Sequence, residues 1–312
     1  MKNKIKKILR PVKKHAIDLL RYIAQKNGYF LIRDHYYSAI PNKDDLEENY
    51  WQFQSQLVGI DINTDLIKEL LESLNSYIRE FREAIPLFRS LNISSTDNHS
   101  LHLINGCFMA VDAHIYYSLI RQYRPEKIVE IGSGFSTSFA KYAISKNERV
   151  SQITCIEPYP SDSLKEIAHN QEHINIIPKK LQEIDVNFFS CLKENDILFI
   201  DSTHMLRTGS DVQIEYCEIL PRLAKGVLVH IHDISLPKHY PTVYFDNELF
   251  WNEQYLLQAF LAFNSKFEII WAGNYMMLNH SELMHDKFPE ILTMRDHFPM
   301  SEPTSFWIRV KT

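Results

Sequence analysis

Apolar residues recur along this chain with two different periods. Leu66, Ile67, Leu70, Leu71, Leu74, Ile78 and Phe81 fall three and four residues apart, which predicts an amphipathic helix over 64–85 ended by Pro86. Beyond residue 126 the apolar residues gather in short runs rich in Ile, Leu and Val: 127–131, 152–156, 174–177, 196–201 and 226–233. Unbroken runs of this length mark strands buried on both faces, and helix-like sequence separates each run from the next. Two further runs, at 267–272 and 305–310, suit an antiparallel pair at one sheet edge. The pattern predicts an α/β fold: a doubly wound, Rossmann-like, seven-stranded mixed sheet with an N-terminal helical extension. Residues 1–100 have few glycines and little strand character and read as a mostly helical extension or cap. The polar run 94–100 reads as the boundary, and 101–312 as the main domain. A helix near 108–123 feeds the first strand. Residues 236–245, with two prolines and clustered aromatics, read as a loop before a helix over about 247–263. The connection 279–304 carries His280, His285 and His297, read as surface histidines.

The first strand ends in a distinctive way. Ile128, Val129 and Ile131 precede Gly132 and Gly134, which turn the chain without Cβ clashes. Ser136 or Thr137 can cap the following helix. Such a strand-turn-helix aims free backbone N–H groups beyond the strand's carboxyl end, where a nucleotide-like ligand sits close to Glu130 and the turn. Glu157, ending the second strand, stands where a carboxylate accepts from ribose hydroxyls.

With Glu130-Ile-Gly-Ser-Gly-Phe-Ser-Thr137, Asp201-Ser-Thr-His204, His230-Ile-His-Asp233 and Trp251-Asn-Glu-Gln-Tyr255 in this order, the chain resembles the class I S-adenosylmethionine-dependent methyltransferases, in their bacterial branch, over about residues 107–312. The resemblance implies S-adenosylmethionine as cofactor and 101–312 as its binding domain. It implies that Gly132, Ser133, Gly134, Phe135, Ser136 and Thr137 wrap the methionine end, with Glu130 and Asp201 close by. Glu157 would hold the ribose and Gln182 would read the adenine. Ser136 stands where the family commonly has a third glycine, exchanging a close backbone approach for a hydroxyl.

In a doubly wound sheet the fourth and fifth strand ends adjoin at the ligand crevice, so Asp201, His232 and Asp233 can converge. Two carboxylates and an imidazole suit a divalent ion, magnesium or manganese by ligand type. The family resemblance extends to metal-dependent members, including catechol O-methyltransferase, which have an acid-acid or acid-amide pair where this chain has His232-Asp233. The alternatives are that Asp201 and Asp233 are caps and that His230 and His232, on one strand face, are core histidines. His204 is a general-base candidate, since an unperturbed imidazole suits accepting a hydroxyl proton. Asp233 and Glu253 join it as catalytic candidates, with Trp251, Tyr240, Tyr244 and Phe245 offering flat faces to an acceptor.

Composition narrows the partners. A net charge of −5 argues against nucleic acid. The four cysteines show no metal-type spacing, and Cys155 in a strand and Cys217 in a helix read as buried free thiols of a reducing compartment. The expected location is the cytoplasm, since no stretch nears the ~20 apolar residues of a membrane span. The basic N-terminus, with Ile5, Ile8, Leu9 and Val12 in a thin stripe, is either a solvated end or a weak peripheral contact with anionic lipid. Methyl transfer to an oxygen of a small-molecule or sugar-like acceptor is the favoured function. The alternatives are a cephalosporin-hydroxylase-like enzyme and a non-catalytic S-adenosylmethionine-binding or assembly protein of a surface-polysaccharide pathway.

Overall fold

The computed structural model describes residues 15–33, 35–38, 40–42, 46, 48–89, 101–169 and 171–312. The chain forms two compact units, Met1–Tyr50 and Trp51–Thr312. The basic run 1–14 and the polar run 94–100 lie outside the described residues. In the first unit a helix over 15–26 ends where Gly28 takes a left-handed φ of 81°.

All the regular sheet belongs to the second unit. Its strands are β1 (Lys127–Ile131), β2 (Gln152–Ile156), β3 (Ile174–Ile177), β4 (Ile197–Ile200), β5 (Leu228–Ile231), β6 (Phe267–Ala272) and β7 (Phe306–Val310). They form one seven-stranded sheet in the order β3-β2-β1-β4-β5-β7-β6. β1 to β5 are parallel, while β7 runs antiparallel between β5 and β6. The helices are α1 (Thr64–Ala84), α2 (Asp112–Tyr123), α3 (Phe135–Ser145), α4 (Asp162–Ala168), α5 (Asp211–Ile214), α6 (Thr242–Asp246), α7 (Glu253–Leu261), α8 (Gly273–Asn279), α9 (Ser281–Lys287) and α10 (Glu290–His297). α5 continues directly into a π-helical turn, Glu215–Ile219.

Alternate strand residues divide between two cores because successive Cβ atoms leave a strand on opposite faces. Ile128, Ile197 and Leu228 join one core with α1, α2, α3, α9 and α10. Val129, Leu198 and Val229 join the other with the π turn and α7. Both faces are thus apolar, as the continuous runs predicted. Burying a Leu or Ile side chain contributes about 1.5–3 kcal/mol, so these two layers hold the sheet.

The apolar stripe of α1 packs Ile67, Leu71, Leu74, Ile78 and Phe81 into the first core. α1 therefore belongs to the same compact unit as the sheet, Trp51–Thr312. The stretch 279–304 is not a plain connection: α9 and α10 bury Met284, Phe288, Ile291 and Met294. Of its histidines only His297 is exposed; His280 and His285 are half-buried. The helix expected over 247–263 is shorter, Glu253–Leu261, and Thr242–Asp246 is helical within the expected loop. Cys155 is buried, but Cys217 is exposed. Among the described residues no helix is long and apolar enough to cross a membrane.

Candidate active site

The order reverses direction at β1 and β4, and the crevice beyond their ends is where open α/β sheets bind ligands. Gly132 leaves β1 at a φ of 77°, and a Cβ there would lie 1.8 Å from the carbonyl oxygen of Asp201. Only glycine allows the turn to lie against the end of β4 in this way. α3 starts at Phe135 with Gly134 as its N-cap, and no side chain caps it. Its first backbone N–H groups are therefore open to a ligand. Ser136 and Thr137, expected to cap the helix, instead lie buried in its first turn.

The hydroxyl of Thr137 donates to Glu130, as does that of Tyr116 at 2.9 Å. Glu130 is fully buried, and burial lifts its carboxyl to about 7 against the opposing effect of these donors. It braces the turn from within instead of facing the crevice. Glu157 is half-buried at the rim, where its carboxylate accepts from the N–H of Ser133 at 3.4 Å and of Tyr159 at 2.8 Å. Gln182 is exposed and donates to the carbonyl of Gly209 at 3.1 Å.

A second group forms where β4 and β5 end. His204 and Asp233 both take left-handed backbone conformations, with φ of 56° and 55°. Such conformations cost non-glycine residues about 1–3 kcal/mol and persist where the surroundings impose them. Here the surroundings do: Ser202 donates to Glu215 at 3.3 Å, and Thr203 donates twice to Asp211 at 3.2 and 2.6 Å. The carbonyl of His204 accepts from the N–H groups of Asn252 and Glu253 at 3.0 and 3.1 Å.

This turn sets the buried His204 ring among three carboxylates. Nδ1 is 2.8 Å from Glu253, while Nε2 is 3.3 Å from Asp201 and 3.6 Å from Asp233. Burial alone would depress the imidazole's pKa, but Asp201, Glu253 and Asp233 together raise it well above its ordinary value. Burial would raise Asp201, yet His232 and His204 outweigh it and hold the carboxyl below its usual range. The ligand atoms of Asp201, His204 and Asp233 all lie within 4.8 Å of one another.

A cavity of about 590 Å³ adjoins this group. Trp51, Tyr240, Tyr244, Met109 and Met294 supply apolar wall, and Asp233, His232, Asn274 and Thr304 supply polar wall. Asp233 accepts from the Thr304 hydroxyl at 3.3 Å. Asp112, at the start of α2, fixes that segment by accepting from the N–H groups of Thr304 and Ser305, each at 3.0 Å.

A methyltransferase-domain family model matches residues 129–234, from β1 to just past β5. An uncharacterized protein of Archaeoglobus fulgidus is 35% identical over 174 residues, which cover 52% of this chain and 74% of that protein. The segment from β1 to just past β5 thus matches the methyltransferase-domain family. Among solved structures, the S-adenosylhomocysteine-bound methyltransferase PaMTH1 of Podospora anserina is similar at 14% identity and a TM-score of 0.41, covering 81% of this chain and 98% of that one. A putative O-methyltransferase from Klebsiella pneumoniae is similar at 12% identity and a TM-score of 0.39, covering 80% and 96%.

The site departs from the sequence expectation at His204, His232 and Glu253. His204, not His232, shares the compact ligand group with Asp201 and Asp233. The His232 ring packs against Phe108, 5.1 Å between centroids, on the face that also buries His230, while its Nε2 lies 3.8 Å from Asp233. Glu253 is fully buried behind His204, where it also accepts from the Tyr216 hydroxyl at 3.0 Å, and so does not reach an acceptor. Trp251 backs the His204 ring at 4.4 Å and Tyr244 at 4.5 Å.

Sequence reasoning missed Asp112, Asn274, Thr304 and Glu215. The first three lie far from any motif. Glu215 had no clear local signal, since Asp211 and Glu218 are acids of the same helical run; it is fully buried, and burial followed by Glu253 and Asp211 raises its carboxyl well above the ordinary value. π turns of this kind recur at functional sites.

Proposed function

We propose that the enzyme methylates a hydroxyl oxygen of a small or sugar-like acceptor, aided by a divalent ion held by Asp201, His204 and Asp233. One observation carries this reading: Asp233 belongs both to the three-ligand group and to the wall of the adjoining cavity. The donor set fits such an ion, since carboxylate oxygens suit magnesium or manganese and an imidazole tolerates several transition metals. The hydrogen bond between Nδ1 of His204 and Glu253 fits as well. A carboxylate behind a metal-binding imidazole fixes its tautomer and directs the other nitrogen's lone pair outward. When bound, the ion would lower the pKa of an acceptor hydroxyl and orient it.

The remaining work falls to the chain. The sulfonium of the cofactor is already reactive, so alignment of the acceptor oxygen with the methyl group is the main demand. The uncapped start of α3 and Glu157 hold the cofactor on one side of Asp201. Tyr240, Tyr244 and Trp51 give the acceptor flat apolar contacts and keep water out. As the carbon–sulfur bond breaks and the carbon–oxygen bond forms, the hydroxyl proton passes to Asp233, the member of the ligand group that faces the cavity. In this reading 101–312 is the methyltransferase domain, with α1 as a cover on one face, and the enzyme works in the cytoplasm.

Titration of manganese into Asp201→Asn and Asp233→Asn tests the reading. Each variant should bind the ion at least about tenfold more weakly, since removing one partner of a buried charged group costs several kcal/mol. S-adenosylmethionine affinity of Asp233→Asn should stay within about twofold, because its side chain lies on the acceptor side. Unchanged manganese affinity in both variants would show that these residues do not hold an ion.

A further inference from the structure

We propose that the acceptor is an anionic, hydroxyl-bearing small molecule whose charged group pairs with Lys238, an inference that rests on the reading of the 590 Å³ cavity as the acceptor's place. Among the described residues that line this cavity are three acids, Asp112, Asp233 and Glu302, and one lysine, Lys238. Each acid has a partner. Asp112 accepts from the N–H and the hydroxyl of Thr304 and from the N–H of Ser305. Asp233 accepts from the Thr304 hydroxyl and lies 3.6 Å from Nε2 of His204, while Glu302 pairs with Arg295 at 2.6 Å. Lys238 is half-buried, and among the described residues its ammonium has no carboxylate partner. The lysine is therefore the one charge of this wall left for a ligand.

The backbone of Lys238 is fixed, so the wall is built and not a passing surface. Its N–H donates to the carbonyl of Ser235 at 2.9 Å, its carbonyl accepts from Nε2 of Gln254 at 3.1 Å, and it forms an antiparallel bridge with Gln54. Gln254 is itself fully buried and accepts from the N–H of Ser235 at 2.9 Å. Only the four-carbon stem is left to follow a ligand, and it ends in a compact, strongly hydrated charge. An acceptor that displaces water from such a group without replacing it leaves the charge uncompensated.

Asn274 supplies the second feature. It is 5% exposed, lines the same cavity, and its Oδ1 has no hydrogen-bond partner among the described residues. A buried acceptor left unpaired is costly, and a ligand hydroxyl satisfies it. A cationic acceptor would be repelled by Lys238, and a purely apolar one would leave both Lys238 and Asn274 without partners. An acceptor with an anionic group and a hydroxyl beyond the one that reacts matches both.

The test measures binding of glucuronate, glucose phosphate and glucose to the full chain by ligand-observed NMR. At least one of the two anions should bind about tenfold more tightly than glucose, as a charge-assisted contact provides, and which one it is separates a carboxylate from a phosphate. Lys238→Gln should remove that advantage and leave glucose binding unchanged, Lys238→Arg should retain it, and Asn274→Ala should weaken all three sugars alike. Lys238→Gln should also keep the parent's S-adenosylmethionine affinity, which shows that it is folded. Equal binding of anions and glucose, no binding of either anion, a preference that survives Lys238→Gln, or unchanged binding in Asn274→Ala would overturn the proposal. So would a parallel loss of S-adenosylmethionine affinity in Lys238→Gln in a chain still folded by circular dichroism, which would assign the ammonium to the cofactor. Manganese titration of the parent keeps the two readings apart: no ion binding beside a Lys238-dependent preference defeats the ion reading alone, and the reverse defeats only this one.

Discussion

Single residues set the cofactor side of the site. Glu157 stands at the end of β2 with its carboxylate close enough to accept from the N–H of Ser133 in the glycine turn. In the proposed reading a carboxylate there would accept from both ribose hydroxyls, and charge-assisted hydrogen bonds contribute about 1.5–3 kcal/mol each. Glu157→Ala should therefore lower S-adenosylmethionine affinity about tenfold or more while the fold stays intact, as read by titration calorimetry and circular dichroism. Unchanged binding heats would move the ribose contact elsewhere. Gly132 was legible from sequence because its reason is local: the turn needs a positive φ and no Cβ. Glu130 was misread because its position in the motif says nothing about which way its side chain leaves the strand. Tyr116 and Thr137 draw it inward, and both lie on helices packed against that face.

At the scale of elements, α1 and α10 are joined by a charged contact within the apolar layer. Glu290 is 7% exposed and receives Arg82 as well as a contact from His114 at 3.7 Å. Burial works to raise its carboxyl, but His114 and Arg82 outweigh burial and hold it at about 2. A carboxyl lowered on folding contributes stability that is complete above its ordinary pKa and disappears as pH falls through the folded value. The contribution, on the order of 3 kcal/mol, should fade between about pH 4.5 and pH 2. Glu290→Gln should unfold more readily than the parent at pH 6 in urea, and the difference should vanish near pH 2. A difference that persists at pH 2 would assign the loss to packing and not to charge. α1 itself was readable because its period of 3.6 continues over 21 residues. α8, α9 and α10 were not, since each has only seven or eight residues and too few turns to establish a period.

At the scale of the whole molecule, one unit holds every part that the proposed function uses. Both cores, the seven strands, the ligand group and the 590 Å³ cavity lie within Trp51–Thr312. A chain of residues 51–312 should therefore fold cooperatively and bind S-adenosylmethionine within about threefold of the full chain, as expected for independent parts. An unfolded or aggregated product would show that 1–50 completes the core.

The sequence by itself determined the sheet, the glycine turn and the order of acid-ended strands. These follow from local rules: apolar runs bury both strand faces, and only glycine fits the turn. Tertiary structure alone decided which polar groups meet. His204 enters the ligand group because its left-handed backbone, held by Glu253, Asn252 and the tethers to Asp211 and Glu215, turns the ring toward Asp201 and Asp233. His232, next to Asp233 in sequence, lies outside that compact group: its ring stacks near Phe108, with Nε2 3.8 Å from Asp233. The insertion of β7 between β5 and β6 brings Thr304 to Asp112 and Asp233. Contacts between residues 71 and 192 positions apart have no local signal, because they arise only when the strands are assembled.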